Sequence, residues 1–179
     1  SFILDPGAWD AAFLDYDYIG APWPHRSQPV GNGGFSLRSR RLIDALQDAD
    51  IRKTQPEDHV ICLDYHDLLV ARHGIRFAPV ELARRFAFEL TPPDGPVFGF
   101  HGFFNFHLAL PDPELLSYLA GVDRSVLFSM PARRLLKNLI DAGRHEPARR
   151  IIDVRAGGNL KQRLDAFKLR CRLALRRLR

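Results

Sequence analysis

Cysteine is scarce in this 179-residue chain, with Cys62 and Cys171 far apart in helix-like surroundings. That spacing suggests neither a disulfide framework nor a zinc site and fits reduced-compartment usage. No run of about 18 apolar residues occurs, so no membrane-spanning helix is expected. No basic stretch followed by an apolar one marks a signal peptide at the start. The first residue is Ser1 rather than Met, inside the apolar run "SFIL". That run reads as a strand already under way, so the natural N-terminus is expected upstream.

A nucleotide cradle is also missing. The stretch Gln28–Leu42, "QPVGNGGFSLRSRRL", places Gly31, Gly33 and Gly34 within four positions. A Walker loop needs a Lys after its last Gly, and none follows. A dinucleotide fingerprint needs a third Gly at position 36, which is Ser36. Glycines cluster where a backbone needs unusual dihedrals or close approach. The stretch is therefore either a contact loop or a tight turn.

What is present is enough for a core: 46% apolar residues, with 13 Phe and 2 Trp. The length suits one domain with an appendage. Residues 1–130 hold 11 Lys/Arg and 17 Asp/Glu, a balance of −6; residues 131–179 hold 15 and 4, a balance of +11. That shift places an expected boundary near residues 122–130, with an α/β part over 1–125 and a basic helical appendage over 126–179.

Along the chain, "LDPGAWDAAFLD" reads as a short helix capped by Asp5 with Pro6 first. "YDYIGAP" reads as a strand. "SRRLIDALQDA" reads as an amphipathic helix burying Leu42, Ile43 and Leu46. "PEDHVICLDYHDLLVARHG" reads as one helix between Pro56 and Gly74. "IRFAPV" alternates like a strand, and "PVFGFHGFFNF" suits a strand running into a ligand-facing loop. Three helical segments follow, "PARRLLKNLIDAG", "EPARRIIDVRAG" and the stretch from Asn159 to Arg179, the first two forming a hairpin.

Five places carry candidate chemistry, each with a plainer reading. Trp23 sits between two prolines, as a platform or as core. Asn32 lies within the glycines. Glu57 and Asp58 are either a catalytic pair or acids complementing a helix N-terminus. His101 stands between glycines as a ligand or as a core imidazole. Asp15 and Asp17 flank one residue, as a metal-diphosphate motif or a surface strand end. His59, His66 and His73 recur every seven residues, about 10 Å apart along a helix and too far for one metal; they read as surface.

Taken in order, "YDYIGAPW", "VGNGGFSLRSRRL", "PEDHVICL", "GIRFAPVELARRFAFE" and "FGFHGFFN" resemble an uncharacterised glycosyltransferase-like family with a GT-A-type fold, over roughly residues 1–107. More distantly, they are similar to galactosyltransferases acting on β-linked sugars. The resemblance implies the C-terminal portion of a GT-A-like fold with a mixed sheet, followed by the all-helical basic tail. It implies a glycine loop, Gly33 and Gly34, lying against donor and acceptor sugars, with Asn32, Ser36 and Trp23 as further substrate contacts. Asp58 or Glu57 would be the catalytic base, and His101 a ligand of Mn²⁺ or Mg²⁺. The usual carboxylate metal motif would fall just before Ser1. The expected activity is sugar transfer from a nucleotide-sugar donor to a glycan or other hydroxyl acceptor by the full-length protein, the piece alone being inactive. The alternative is a catalytically silent carbohydrate-binding or interaction module of the same fold.

The basic tail has few aromatics and no recognised nucleic-acid motif, so nucleic acid is not the expected partner. Docking on an anionic membrane surface or on a partner helix is expected instead, with a solvated helical appendage as the plainer reading. The expected location is cytoplasmic, with the tail able to reach the inner membrane face.

Overall fold

The computed structural model describes residues 1–26 and 28–177, without the side chain of Arg177. Ser27, inside the expected Pro/His/Trp loop, and residues 178–179, at the end of the third expected helical segment, lie outside it. The chain is mixed α/β and divides into two compact units, Ser1–His101 and Gly102–Arg179.

The first unit opens with β1 (Phe2–Ile3), a 3₁₀ turn Pro6–Ala8 and a second 3₁₀ turn Ala11–Asp15. Asp5 and Asp10 cap the two turns, accepting from Gly7 N and Ala12 N at 2.8 and 2.9 Å. An Asp side chain satisfies a backbone donor that has no partner at the start of a turn. β2 (Tyr18–Pro22) and β3 (Val30–Arg38) follow and pair antiparallel. Then come α1 (Arg40–Ala45), α2 (Glu57–His59), α3 (His66–His73), α4 (Val80–Phe86), β4 (Ala87–Phe88) and β5 (Gly99–Phe100). β5 lies between β1, antiparallel, and β4, parallel, in a small mixed sheet.

Aromatic rings fill much of this unit's core. Phe13, fully buried, meets Trp9 and Phe86 edge to face with ring centroids 5.5 and 5.2 Å apart. Phe35 and Phe98 continue the stack against Phe86. Such offset and T-shaped pairs suit the ring quadrupole. Around them Tyr18, Ile19, Leu42, Ile61 and Leu69 are buried.

Four expectations change here. The glycine stretch is strand rather than loop, interrupted by a bulge. Gly20 pairs with Ser36 and the next residue, Ala21, with Asn32, so Gly33, Gly34 and Phe35 have no partner on β2. The expected helix between Pro56 and Gly74 is broken by a π turn, Val60–Asp64, that separates α2 from α3. Gly74 does end α3, in the left-handed conformation at φ 62°. "IRFAPV" supplies only an isolated bridge from Phe77 to Tyr18. Ile43 stays 42% exposed, while Leu42 is buried as expected.

The second unit is helical: a 3₁₀ turn Phe103–Asn105, then α5 (Phe106–Ala109), α6 (Asp112–Gly121), α7 (Arg124–Leu127), α8 (Met130–Asp141), α9 (His145–Ala156) and α10 (Leu160–Arg177). α9 packs against α6, α8 and α10. Leu115, Leu119, Leu127, Leu135, Leu139, Ile151 and Ile152 form its core. The expected helical segments and hairpin are all present. The division, however, falls at 101/102 and not near the charge break at 122–130. The reason is packing: Leu115 and Leu119 of α6, which carries Asp112 and Glu114 and no base, are buried in the helical unit.

Candidate functional site

The β3 bulge is where the sequence-predicted residues meet. A bulge bends its strand and re-aims the residues it carries. Here it presents two residues without side chains to the rest of the first unit. A Cβ on Gly34 would lie 2.4 Å from the His101 ring, and one on Gly33 would lie 3.1 Å from Asp58 Cβ. The imidazole therefore rests directly on the backbone at Gly34, and Asp58 sits beside Gly33. On the same strand, Gly31 makes room for the ring of Trp23.

Asn32 braces this arrangement. Its Nδ2 donates to Glu89 Oε2 at 2.5 Å, and its Oδ1 accepts from Gly34 N at 3.0 Å. Glu89 Oε1 stands 4.0 Å from His101 Nε2. On the other side of the ring, Ser1 Oγ lies 3.1 Å from His101 Nδ1 and donates to Gly34 O. Burial holds the His101 imidazole below its usual range, against the opposing pull of the Glu89 and Asp58 carboxylates. The ring is accordingly biased toward its neutral form.

Asp58 and Glu57, adjacent in sequence, differ in surroundings. The Glu57 carboxylate pairs with Arg38. Arg38 also reaches Gly33 O at 3.5 Å, and its buried Nε finds no acceptor among the described residues. Asp58 is half-buried, and its Oδ1 accepts from His59 N at 2.9 Å. Of the pair, Asp58 is the one beside the bulge with its other oxygen uncommitted to any hydrogen bond described.

Other candidates turn toward the chain itself. Ser36 Oγ donates to Gly33 O at 3.2 Å. Trp23 is 8% exposed and meets His59 edge to face, so it sits in the core beside the bulge. Asp15 and Asp17 do not converge. Asp15 is exposed, whereas Asp17 is buried and accepts from Ser39 Oγ and Arg76 N at 2.7 and 2.8 Å. His59, His66 and His73 are half-buried rather than exposed and serve separate neighbours: Trp23, Phe77 and Asp48.

For a divalent cation, His101 and Glu89 offer an imidazole and a carboxylate, donors that Mn²⁺ accepts. Among the described residues no three His, Cys, Asp or Glu side chains are grouped to hold a metal ion. The set as it stands does not fit a complete site. A groove of about 470 Å³ lined by Glu81, Arg84, Arg85 and Asp94 shares no residue with the bulge cluster.

Glu89 and Arg38 are the cluster members that sequence reasoning left without a role. A signal for Glu89 exists: a single acid directly after the apolar run "FAF", just past the short strand β4. Arg38 carries no such mark, because its partners Gly33 and Glu57 come to it only through the fold.

Residues 1–101 match a family described as a protein of unknown function (DUF5672), and the chain belongs to that family. No curated protein and no solved structure matches it. The matched residues coincide with the first compact unit, Ser1–His101.

Proposed function

We propose that this DUF5672 member is the acceptor-side part of a GT-A-type glycosyltransferase domain, using a nucleotide-sugar donor and a hydroxyl-bearing carbohydrate acceptor. The observation that carries the reading is the β3 bulge, whose two bare backbone positions bring Asp58, His101 and, through Asn32, Glu89 to one place. Acyl or peptide chemistry has less support here, since both hydroxyls at the cluster, Ser1 and Ser36, donate to backbone carbonyls, Gly34 O and Gly33 O.

In this reading the acceptor hydroxyl approaches Asp58. Its oxygen forms the new bond to the anomeric carbon while its proton passes to the Asp58 carboxylate, and the bond from that carbon to the diphosphate breaks. A positioned base of this kind contributes typically about 10²–10⁴-fold. Glu57, neutralised by Arg38, is the weaker candidate. Neutral His101 would hydrogen-bond a sugar hydroxyl, and Glu89, braced by Asn32, would orient it. No step is assigned to a cation, because the described residues do not complete a metal site.

The test is transfer from a panel of nucleotide sugars by the full-length protein, with Mn²⁺ or Mg²⁺ present. Asp58→Asn should lower the rate by about 10²-fold or more, and Glu57→Gln by much less. An Asp58→Asn protein keeping more than about a tenth of the wild-type rate rules this residue out as base.

One observation favours the second reading, a catalytically silent carbohydrate-binding or interaction module. The faces of Gly31, Gly33 and Gly34 are covered by Trp23, Asp58 and His101 of the same chain. Glycan binding without turnover of any donor, unchanged in Asp58→Asn, identifies that case.

A further inference from the structure

The acids of residues 131–179 are all engaged: Asp141 by Arg172 and Arg176, Glu146 by Arg149, Asp153 by Arg170, and Asp165 by Arg133 and Arg155. Six of the tail's 15 Lys/Arg are thus engaged by its own acids, and the net charge of +11 remains. What remains unpartnered is a face of α10.

α10 is apolar on two sides. Ala166, Leu169 and Leu173 are buried against the unit. Leu160, Leu164, Phe167 and Leu175 are 55–70% exposed, and Cys171 is exposed with them. At about 100° per residue these five fall within an arc of about 80°, nearly opposite the buried stripe. Lys161 and Lys168 border the arc on one flank and Arg163 on the other, all three exposed and in no ion pair described. The single acid of α10, Asp165, sits off this face and is held by Arg133 at 2.6 Å.

We propose that this face of α10 docks on an anionic lipid bilayer, lying in the plane of the surface with Leu164 and Phe167 inserted and Lys161, Arg163 and Lys168 at the headgroups. Charge complementarity selects this occupant. A helix with an apolar stripe edged on both sides by cations has the make-up of an interfacial helix, whose binding sums apolar burial and attraction to anionic lipid. A second copy of α10 would bring cations against cations, where paired helices put opposite charges at the stripe's edges. Nucleic acid would use the cations and leave four large side chains in water.

The experiment is co-sedimentation of the full chain with phosphatidylcholine vesicles, with and without phosphatidylserine, followed by alkylation of Cys171. The expected results are binding that requires phosphatidylserine and weakens with salt, slower Cys171 alkylation on those vesicles, and a loss of about tenfold or more in Leu164→Ser/Phe167→Ser. Lys161→Glu/Lys168→Glu should lose binding similarly. These exposed positions leave the buried stripe intact, and an unchanged helical melt by circular dichroism checks this. Equal binding to both vesicle types, no binding, or variants that bind like wild type overturn the proposal. So does a concentration-dependent dimer that protects Cys171 without lipid, or protection by RNA alone.

Discussion

The two units put their buried polar residues to different uses. In the first, with 10 Lys/Arg against 14 Asp/Glu, polar side chains gather where the backbone is irregular. Asn32, Glu89, Asp58 and His101 surround the β3 bulge, and Asp17 accepts from Arg76 N at a strand end. In the second, with 16 against 7, arginines act as struts between regular helices. Arg155, 3% exposed, donates to Leu127 O at 2.9 Å and meets Asp165 at 3.2 Å. Arg144 reaches Asp112, His107 O and Leu110 O together. A charge count alone conflates the two uses: an excess of arginine signals a binding surface only after the internal ion pairs are set aside.

The contrast breaks most sharply in the core of the first unit. Phe13→Ala removes the ring that joins Trp9, Phe86 and Phe98, and should cost about 3–5 kcal/mol. Both tryptophans, Trp9 and Trp23, belong to this unit, so urea unfolding followed by tryptophan emission reports it selectively. The transition should move to much lower urea, or vanish, while the helical signal at the second unit's own transition persists.

In the second unit the matching change is Asp165→Asn. It leaves buried Arg155 facing a neutral amide and strips Arg133 of a two-oxygen pairing at 2.6–2.9 Å. Breaking a buried pair costs about 3–5 kcal/mol, and the partial exposure of Arg133 lowers the expected figure to about 2–3. Circular dichroism should register the loss with little change in tryptophan emission.

How much of this was legible in the sequence follows from the range of the interactions involved. The cap at Asp5 and the helices from Met130 onward were readable, because caps and 3.6-residue periodicity are local, although the one short helix expected over Leu4–Asp15 is two 3₁₀ turns. The bulge was not. Gly31–Gly34 looked like a loop, since register between two strands depends on β2, whose fit to β3 no local pattern encodes. At the site, Asp58, His101 and Asn32 stood out beside glycines or at a helix start. Their grouping depends on contacts across 25 to 67 residues, and Glu89 entered through Asn32 and His101. The 101/102 division was hidden because α6 is buried by packing while its composition resembles what precedes it.

Smaller effects should appear with pH, with the same sign in both units. Burial lowers the folded pKa of His101 in the first and of His107 in the second below the ordinary 6.5. A histidine held low in the folded state leaves stability intact above 6.5 and erodes it as pH falls through 6.5 toward the folded value. His101→Gln should flatten that slope in tryptophan emission alone, and His107→Gln in the helical signal alone. Asp165, lowered by its hydrogen bonds to Arg133, adds stability that is present above 3.8 and lost as pH falls through its folded value.

The division between His101 and Gly102 is the claim on which the comparison stands, and expression of residues 1–101 alone tests it most directly. Urea titration followed by the emission of Trp9 and Trp23 should give one cooperative transition, close to that of the full chain. A cut at residue 125 or 130 should instead leave Leu115 and Leu119 without α9 and promote association. A 1–101 piece with no cooperative transition, beside a well-folded 1–125 piece, would contradict the account.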